Sequence, residues 1–156
     1  MGDWVHGLVQ LKDAGWVVIQ MLFRSAGALL PGVKKLVLVM CGGSLGAASR
    51  YLIGTWAARS LGTRFPWGTL TVNLAGCFLI GLLFGLAERV RLMTPDMRLL
   101  LITGYLGALT TFSSFALETI NAGRTGMLLQ PLANILVNNL GGLTLTCIGI
   151  WLAGLN

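Results

Sequence analysis

The sequence predicts an all-α integral membrane protein with four transmembrane helices, and three observations carry that prediction. Of the 156 residues, 55% are hydrophobic and only 10% charged. A soluble domain carries about a quarter charged residues, so there is too little polar surface here to cover a water-soluble globule. Mean hydropathy is +0.80. Apolar stretches recur four times, and each crossing needs about 20 residues for about 30 Å of hydrocarbon. Four spans, short loops and an N-terminal extension fill the chain.

Residues 1–32 read as an amphipathic extension ahead of a four-helix domain at 33–156. At about 100° per residue, Trp4, Leu8, Leu11, Val18, Ile19 and Leu22 share one face, with Asp3, His6, Gln10, Asp13, Gln20 and Arg24 roughly opposite. Its longest apolar run is too short to cross, which reads as a helix lying in the membrane interface. Its acidic residues argue against a signal peptide. Pro31-Gly32 is expected to end it, with Lys34-Lys35 at the boundary. The first span is expected at Leu36–Leu61, holding Gly42, Gly43, Gly46 and Arg50. The second, Trp67–Ala87, follows Pro66, a residue favoured at helix starts, and holds Asn73, Gly76, Gly81 and Gly85. A charged loop, ERVRLMTPDMR, leads to the third, Leu99–Ile120, which contains GALTTFSSF at 107–115. After NAGRTG comes the fourth, Leu128–Leu152, with Asn134, Asn138, Asn139, Gly141 and Gly142. Glycine pairs at helical spacing (Gly42/Gly46, Gly81/Gly85, Gly104/Gly107) predict close helix–helix contacts, because small residues let backbones approach in lipid.

Net charge is +6. In a membrane protein Lys and Arg belong at the boundaries, and no basic patch interleaves with aromatics as nucleic-acid sites require. Nucleic acid is therefore not an expected partner. Four spans put both termini and the middle loop on one side, with seven cations (Lys12, Arg24, Lys34, Lys35, Arg89, Arg91, Arg98) against three (Arg59, Arg64, Arg124) on the other. This favours an internal N-terminus only modestly and does not forbid insertion both ways. Cys41, Cys77 and Cys147 are scattered and His6 stands alone, which offers neither metal-ligand spacing nor a nucleophilic triad. The chain is not expected to be an enzyme.

Polar groups inside a span are costly and mark function. Asn73 is one candidate, read either as an interhelical hydrogen bond or as an ion ligand. The 107–115 stretch is another. Gly104, Gly107 and consecutive threonines make it the weakest helical point of its span, and a break there would free carbonyls for a cation and turn N–H groups toward an anion. A polar packing face is the alternative. Asn134 and Asn138, four apart, share a face of the last span. Arg50 either snorkels to the interface or lends a vestibule positive potential. No Asp or Glu stands at the centre of a span; Glu88 and Glu118 lie near helix ends. Proton-coupled transport needs a titratable relay. Neutral donors, hydroxyls and the positive edges of phenyl rings suit instead a small anion held weakly enough to leave.

GGSLGAASRY (42–51), PWGTLTVNLAG (66–76) and GALTTFSSF (107–115) resemble, in order and spacing, the three signatures of the Fluc, or CrcB-type, fluoride channels. NILVNNLGGLTLT (134–146) is similar to that family's fourth span, and the resemblance covers roughly residues 36–153. It implies a third helix broken near its middle and an antiparallel, dual-topology homodimer with two fluoride pores and a central sodium ion. It further implies that Phe112 and Phe115 line the pores with Asn73 and Asn138. Ser113 and Ser114 either join that track or cap the broken helix. Carbonyls of Gly107 and Thr110 would hold the sodium, as suits a hard cation, and Arg50 and Glu118 would stand in vestibules. Two departures stand out: a serine common in the family's fourth span is Gly142 here, and the extension is not part of the usual pattern.

The expected function is passive export of fluoride across the cell (inner or plasma) membrane, driven by a negative interior worth about 2.3 kcal/mol per charge per 100 mV. A small proton-coupled multidrug exporter is the first rival, but it needs an embedded carboxylate where this chain has Arg50. A non-transporting assembly subunit is the second, and it would need neither Asn73 nor the third-span stretch.

Overall fold

The computed structural model describes residues 3–90, 93–124, 126 and 128–154, with side chains at 31–88 and in the described residues from 93 onward. The chain divides into two units, Met1–Val37 and Leu38–Asn156. The first is helical backbone from the start of α1 (Asp3–Leu61). The amphipathic reading of residues 1–32 rests on side chains outside the described residues. The expected stop at Pro31-Gly32 does not occur: α1 runs through Pro31, and the expected span Leu36–Leu61 lies within its apolar segment. A proline inside a helix removes one backbone hydrogen bond. The residues after it resume the helical pattern, which continues to Leu61.

The second unit holds the rest of α1 and four further elements: α2 (Trp67–Val90), α3 (95–109), α4 (Phe112–Arg124) and α5 (Leu129–Ala153). Among the described residues, four segments are long and apolar enough to cross a membrane: Pro31–Leu61, Trp67–Glu88, Pro95–Arg124 and Leu129–Ala153. No strand occurs among the described residues, so the fold is the expected all-α, four-span one. Gly62, at φ 81°, makes the tight turn after α1, a left-handed conformation that glycine adopts freely. Thr94 caps α3, its Oγ1 accepting from Met97 N at 3.2 Å. Pro95 and Asp96 in the first turn suit the donor-rich, positive end of a helix.

Glycine contacts fasten the unit at two crossings. A Cβ on Gly42 would meet the Leu100 carbonyl and one on Gly104 would meet the Val39 carbonyl, so α1 and α3 touch backbone to backbone. Likewise a Cβ on Gly81 would meet the Thr146 carbonyl and one on Gly149 the Phe78 carbonyl, which locks α2 to α5. Gly107 differs: a Cβ there would meet only the Ile102 carbonyl, at 3.7 Å, so it is not a packing glycine. Val72, Leu106 and Leu109 form the buried core beside the third span's break.

Three departures from regular α-helix are built into the spans. Leu99–Leu106 of α3 and Val137–Gly141 of α5 wind as π-helix, a wider turn frequent at functional sites. The third is the interruption between α3 and α4 at Thr110–Thr111, where Thr110 is extended (φ −80°, ψ 155°).

Candidate functional site

The break has a specific partner on α2. Asn73 pairs its side-chain amide with the backbone of Thr111: Oδ1 accepts the Thr111 N–H at 2.9 Å, and Nδ2 donates to the Thr111 carbonyl at 3.3 Å. One side chain thus satisfies both polar backbone groups of a residue that left the helix, as buried groups require. Thr110 stays tied to α3, its N–H and its hydroxyl both donating to the Leu106 carbonyl, at 3.1 and 3.0 Å. Its methyl sits where a Cβ on Gly76 would stand, so glycine at 76 is what lets α2 approach the break.

Across the break, Thr111 caps α4. Its Oγ1 accepts the Ser114 N–H at 3.3 Å and donates to Ser114 Oγ at 3.1 Å, with Ser113 Oγ 3.3 Å away. With the Thr111 hydroxyl proton given to Ser114, Ser113 is the donor of its own contact, and the Ser114 hydroxyl proton is left over.

From Asn73 a chain of amides runs along α5. Asn73 Nδ2 donates to Asn138 Oδ1 at 3.1 Å, and Asn138 Nδ2 donates to Asn134 at Oδ1 (2.8 Å) and at its carbonyl (3.1 Å). Asn134 Nδ2 donates to Thr119 Oγ1 at 2.8 Å, and that hydroxyl donates to the Phe115 carbonyl at 2.7 Å. Asn134 is 1% exposed, so its partners replace water entirely. All donors point the same way, from the break toward α4.

Asn73, Thr111 and Asn138 border a cavity of about 360 Å³. It brings together six of the residues expected from the sequence, namely Asn73, Gly107, Thr110, Phe112, Phe115 and Asn138. The two phenyl rings meet at 5.5 Å between centroids, tilted by 54°. Phe115 is 7% exposed and Phe112 76%. Ser113, Arg50 and Glu118 do not line it. Arg50 lies half-buried on α1. Glu118 borders a second cavity of about 510 Å³ with Arg64, Thr69, Asn121 and Gln130. Its Oε1 accepts from Thr69 Oγ1 at 2.8 Å, while its Oε2 is buried without a partner among the described residues. Gln130 Nε2 donates to the Arg64 carbonyl nearby.

Asn139 and Cys77 also line the main cavity and are not among the site residues expected from the sequence. In a regular α-helix Asn138 and Asn139 diverge by about 100°. The wider π turn lets both border one space. The hydrophobic periodicity of the span gives no signal of this turn. Asn139 Nδ2 donates to the Ile135 carbonyl at 2.7 Å and keeps a second N–H.

Residues 37–150 match the model of the family described as CrcB-like protein, Camphor Resistance (CrcB). Among similar proteins is the fluoride-specific ion channel FluC of Hahella chejuensis, 49% identical over 106 residues, which are 68% of this chain and 84% of that protein. The FluC of Leptospira interrogans is 39% identical over 119 residues, 76% of this chain and 94% of that one. The FluC of a Chelativorans species is 44% identical over 118 residues, again 76% and 94%.

Proposed function

This chain belongs to the CrcB family and is a fluoride channel of the membrane rather than an enzyme, and we propose that fluoride passes through the cavity that Asn73, Phe112, Phe115 and Asn138 share. That convergence is the observation that carries the assignment. Four residues from three spans border one space at a helix break, and none carries a charge. A fixed cation there would bind fluoride too tightly to release it, and a carboxylate would repel it. Conduction needs a lining between those limits.

The donors of the cavity sharpen the mechanism. Both N–H groups of Asn73 and both of Asn138 are engaged within the protein. A passing anion meets instead the edges of Phe112 and Phe115, whose hydrogens carry the positive part of the ring quadrupole, and the second N–H of Asn139. Ser113 and Ser114 stand outside the cavity lining and bond Thr111 at the start of α4 instead. Asn73 and Asn138 yield an N–H only by opening a bond of the amide chain, which reseals when the ion moves on. Arg50 and Glu118 flank the route outside the main cavity, Glu118 in the second one.

Two further elements belong to this reading. An antiparallel homodimer is supported by Phe112: a large apolar ring 76% exposed at the pore leaves one wall open, and a second copy would close it. Sodium fits the break by the chemistry of its donors. Gly107 and Thr110 both line the cavity, and each brings a neutral backbone carbonyl, the ligand type that hard cations take. When bound there, sodium supplies a positive charge that fixes the broken helix. Fluoride efflux from liposomes containing the purified chain, with chloride as control, tests the function. Rapid fluoride loss with chloride retained is expected. Absent or equal fluxes would remove the channel assignment.

A further inference from the structure

We propose that Asn73 is a positioning residue for the cation site: by taking the Thr111 N–H, it holds the Gly107 carbonyl open as a ligand. In an unbroken α-helix the N–H of residue 111 bonds the carbonyl of residue 107. Here that N–H donates to Asn73 Oδ1 at 2.9 Å. The extended Thr110 (ψ 155°) turns the peptide away from α3, while Thr110 itself gives both its donors to Leu106. The Leu106 carbonyl therefore accepts twice, and the Gly107 carbonyl loses its helical donor. Gly107 borders the cavity, and a Cβ there would meet nothing closer than the Ile102 carbonyl, an ordinary contact at 3.7 Å. A freed carbonyl on a residue that borders a cavity is what a cation ligand requires.

The amide chain sets which end of Asn73 faces the break. Asn138 commits both N–H groups to Asn134, so it has only Oδ1 to offer Asn73. Asn73 must then point Nδ2 at Asn138, which leaves Oδ1 for the Thr111 N–H. Asn134, buried and anchored on Thr119, fixes Asn138 in turn. Three amides on two helices thus decide that the Gly107 carbonyl stays free. A flipped Asn73 would face Thr111 N–H with N–H, and the helix would regain its 111-to-107 bond.

The inference rests on the sodium reading above, and the experiment separates the two. The full-length chain, purified in detergent, is unfolded thermally in choline chloride and across a sodium chloride titration at constant ionic strength. Wild type is expected to gain stability with sodium. Asn73→Leu keeps the bulk and removes the acceptor. It is expected to raise the sodium concentration for half-maximal stabilisation at least about tenfold, the usual effect of removing a group that orients a metal ligand. Asn73→Asp keeps an acceptor for the Thr111 N–H and is expected to retain the sodium response. General destabilisation lowers every curve without moving its sodium midpoint. An Asn73→Leu midpoint equal to wild type overturns the coupling while the sodium site stands. A wild type indifferent to sodium overturns the sodium reading and the coupling with it. Should Asn73→Leu not fold, Asn134→Leu cuts the chain two residues away from the break. It is expected to shift the midpoint in the same direction by less, and an unmoved midpoint there overturns the proposal.

Discussion

Gly42 and Gly43 are neighbours on α1, yet the structure assigns them opposite tolerance to one methyl group. A Cβ on Gly42 would overlap the Leu100 carbonyl and stand 2.9 Å from Tyr105 N and 3.1 Å from Gly104 Cα. Every one of these atoms is backbone, so no side chain can rotate away and the helices must separate. A Cβ on Gly43 would meet nothing within 4 Å. Replacing glycine by alanine inside a helix contributes about 0.5–1 kcal/mol of stability at either position. That gain cancels in the comparison, leaving the overpacking cost of about 1–3 kcal/mol. At about 2–4 °C per kcal/mol for a chain of this length, Gly42→Ala should melt roughly 2–12 °C below Gly43→Ala. Tryptophan fluorescence of both variants, purified in one detergent and heated at one rate, measures the difference. Because a Cβ on Gly104 would meet Gly42 Cα and the Val39 carbonyl in return, Gly104→Ala should behave like Gly42→Ala. Their double variant should cost less than the sum, since the first separation relieves the second. Equal melting of Gly42→Ala and Gly43→Ala would refute the backbone contact between α1 and α3.

Phe112→Ile and Phe115→Ile remove the ring edges and keep apolar bulk, so each should lower fluoride efflux from liposomes at least about tenfold, while size-exclusion profiles stay those of wild type; tenfold corresponds to about 1.4 kcal/mol of lost stabilisation. Asn134→Ala strips the buried chain of two hydrogen bonds and should destabilise the chain by about 1–3 kcal/mol, read as a fall in melting temperature. Asn139→Ala, at an exposed position, should leave stability within about 0.5 kcal/mol of wild type but reduce fluoride efflux, because the cavity loses its free amide donor.

How much of this was legible in the sequence depends on the range of the cause. Hydropathy and length locate four spans because crossing hydrocarbon is a property of about 20 consecutive residues. The weak point in GALTTFSSF was legible for a similar local reason: hydroxyls beside glycine compete with the helix for its own bonds. Its position was less so. Gly104 and Gly107 look alike in sequence, but Gly104 is pressed against α1 and Gly107 makes only an ordinary contact with its own helix. The clamp on Thr111 joins residues 38 positions apart, and no local pattern announces it. The π turn at Val137–Gly141 hides for another reason, since a periodicity of hydrophobic residues does not report which carbonyl each N–H chooses. The same limit misjudged Pro31, where a local helix-breaking rule did not stop α1.

The amide chain also explains why a site for a strongly hydrated anion can be built without charge. If Asn73 and Asn138 held free N–H groups, four donors would converge on one point and fluoride would sit there too tightly to conduct. Each N–H is instead engaged at 2.8–3.3 Å and is released only by exchange. An ion that takes one N–H frees the acceptor of that bond, so the gain is the difference between two hydrogen bonds, on the order of 1 kcal/mol, rather than the whole of one. The same engagement holds the break open from the α2 side. Removing an amide therefore has two separable effects: on the depth of the anion's well, through the donors, and on the shape of α3–α4, through Thr111. Asn138→Ala and Asn73→Leu divide them. Asn138→Ala keeps the Asn73 amide opposite Thr111, loosening that pair rather than removing it, and frees one N–H of Asn73. It should deepen the well, slowing fluoride efflux while lowering the fluoride concentration at which efflux saturates. Asn73→Leu should reduce efflux without that gain in apparent affinity. Identical saturation behaviour in the two variants would show that Asn138 supports the fold alone and has no part in setting the depth of the site.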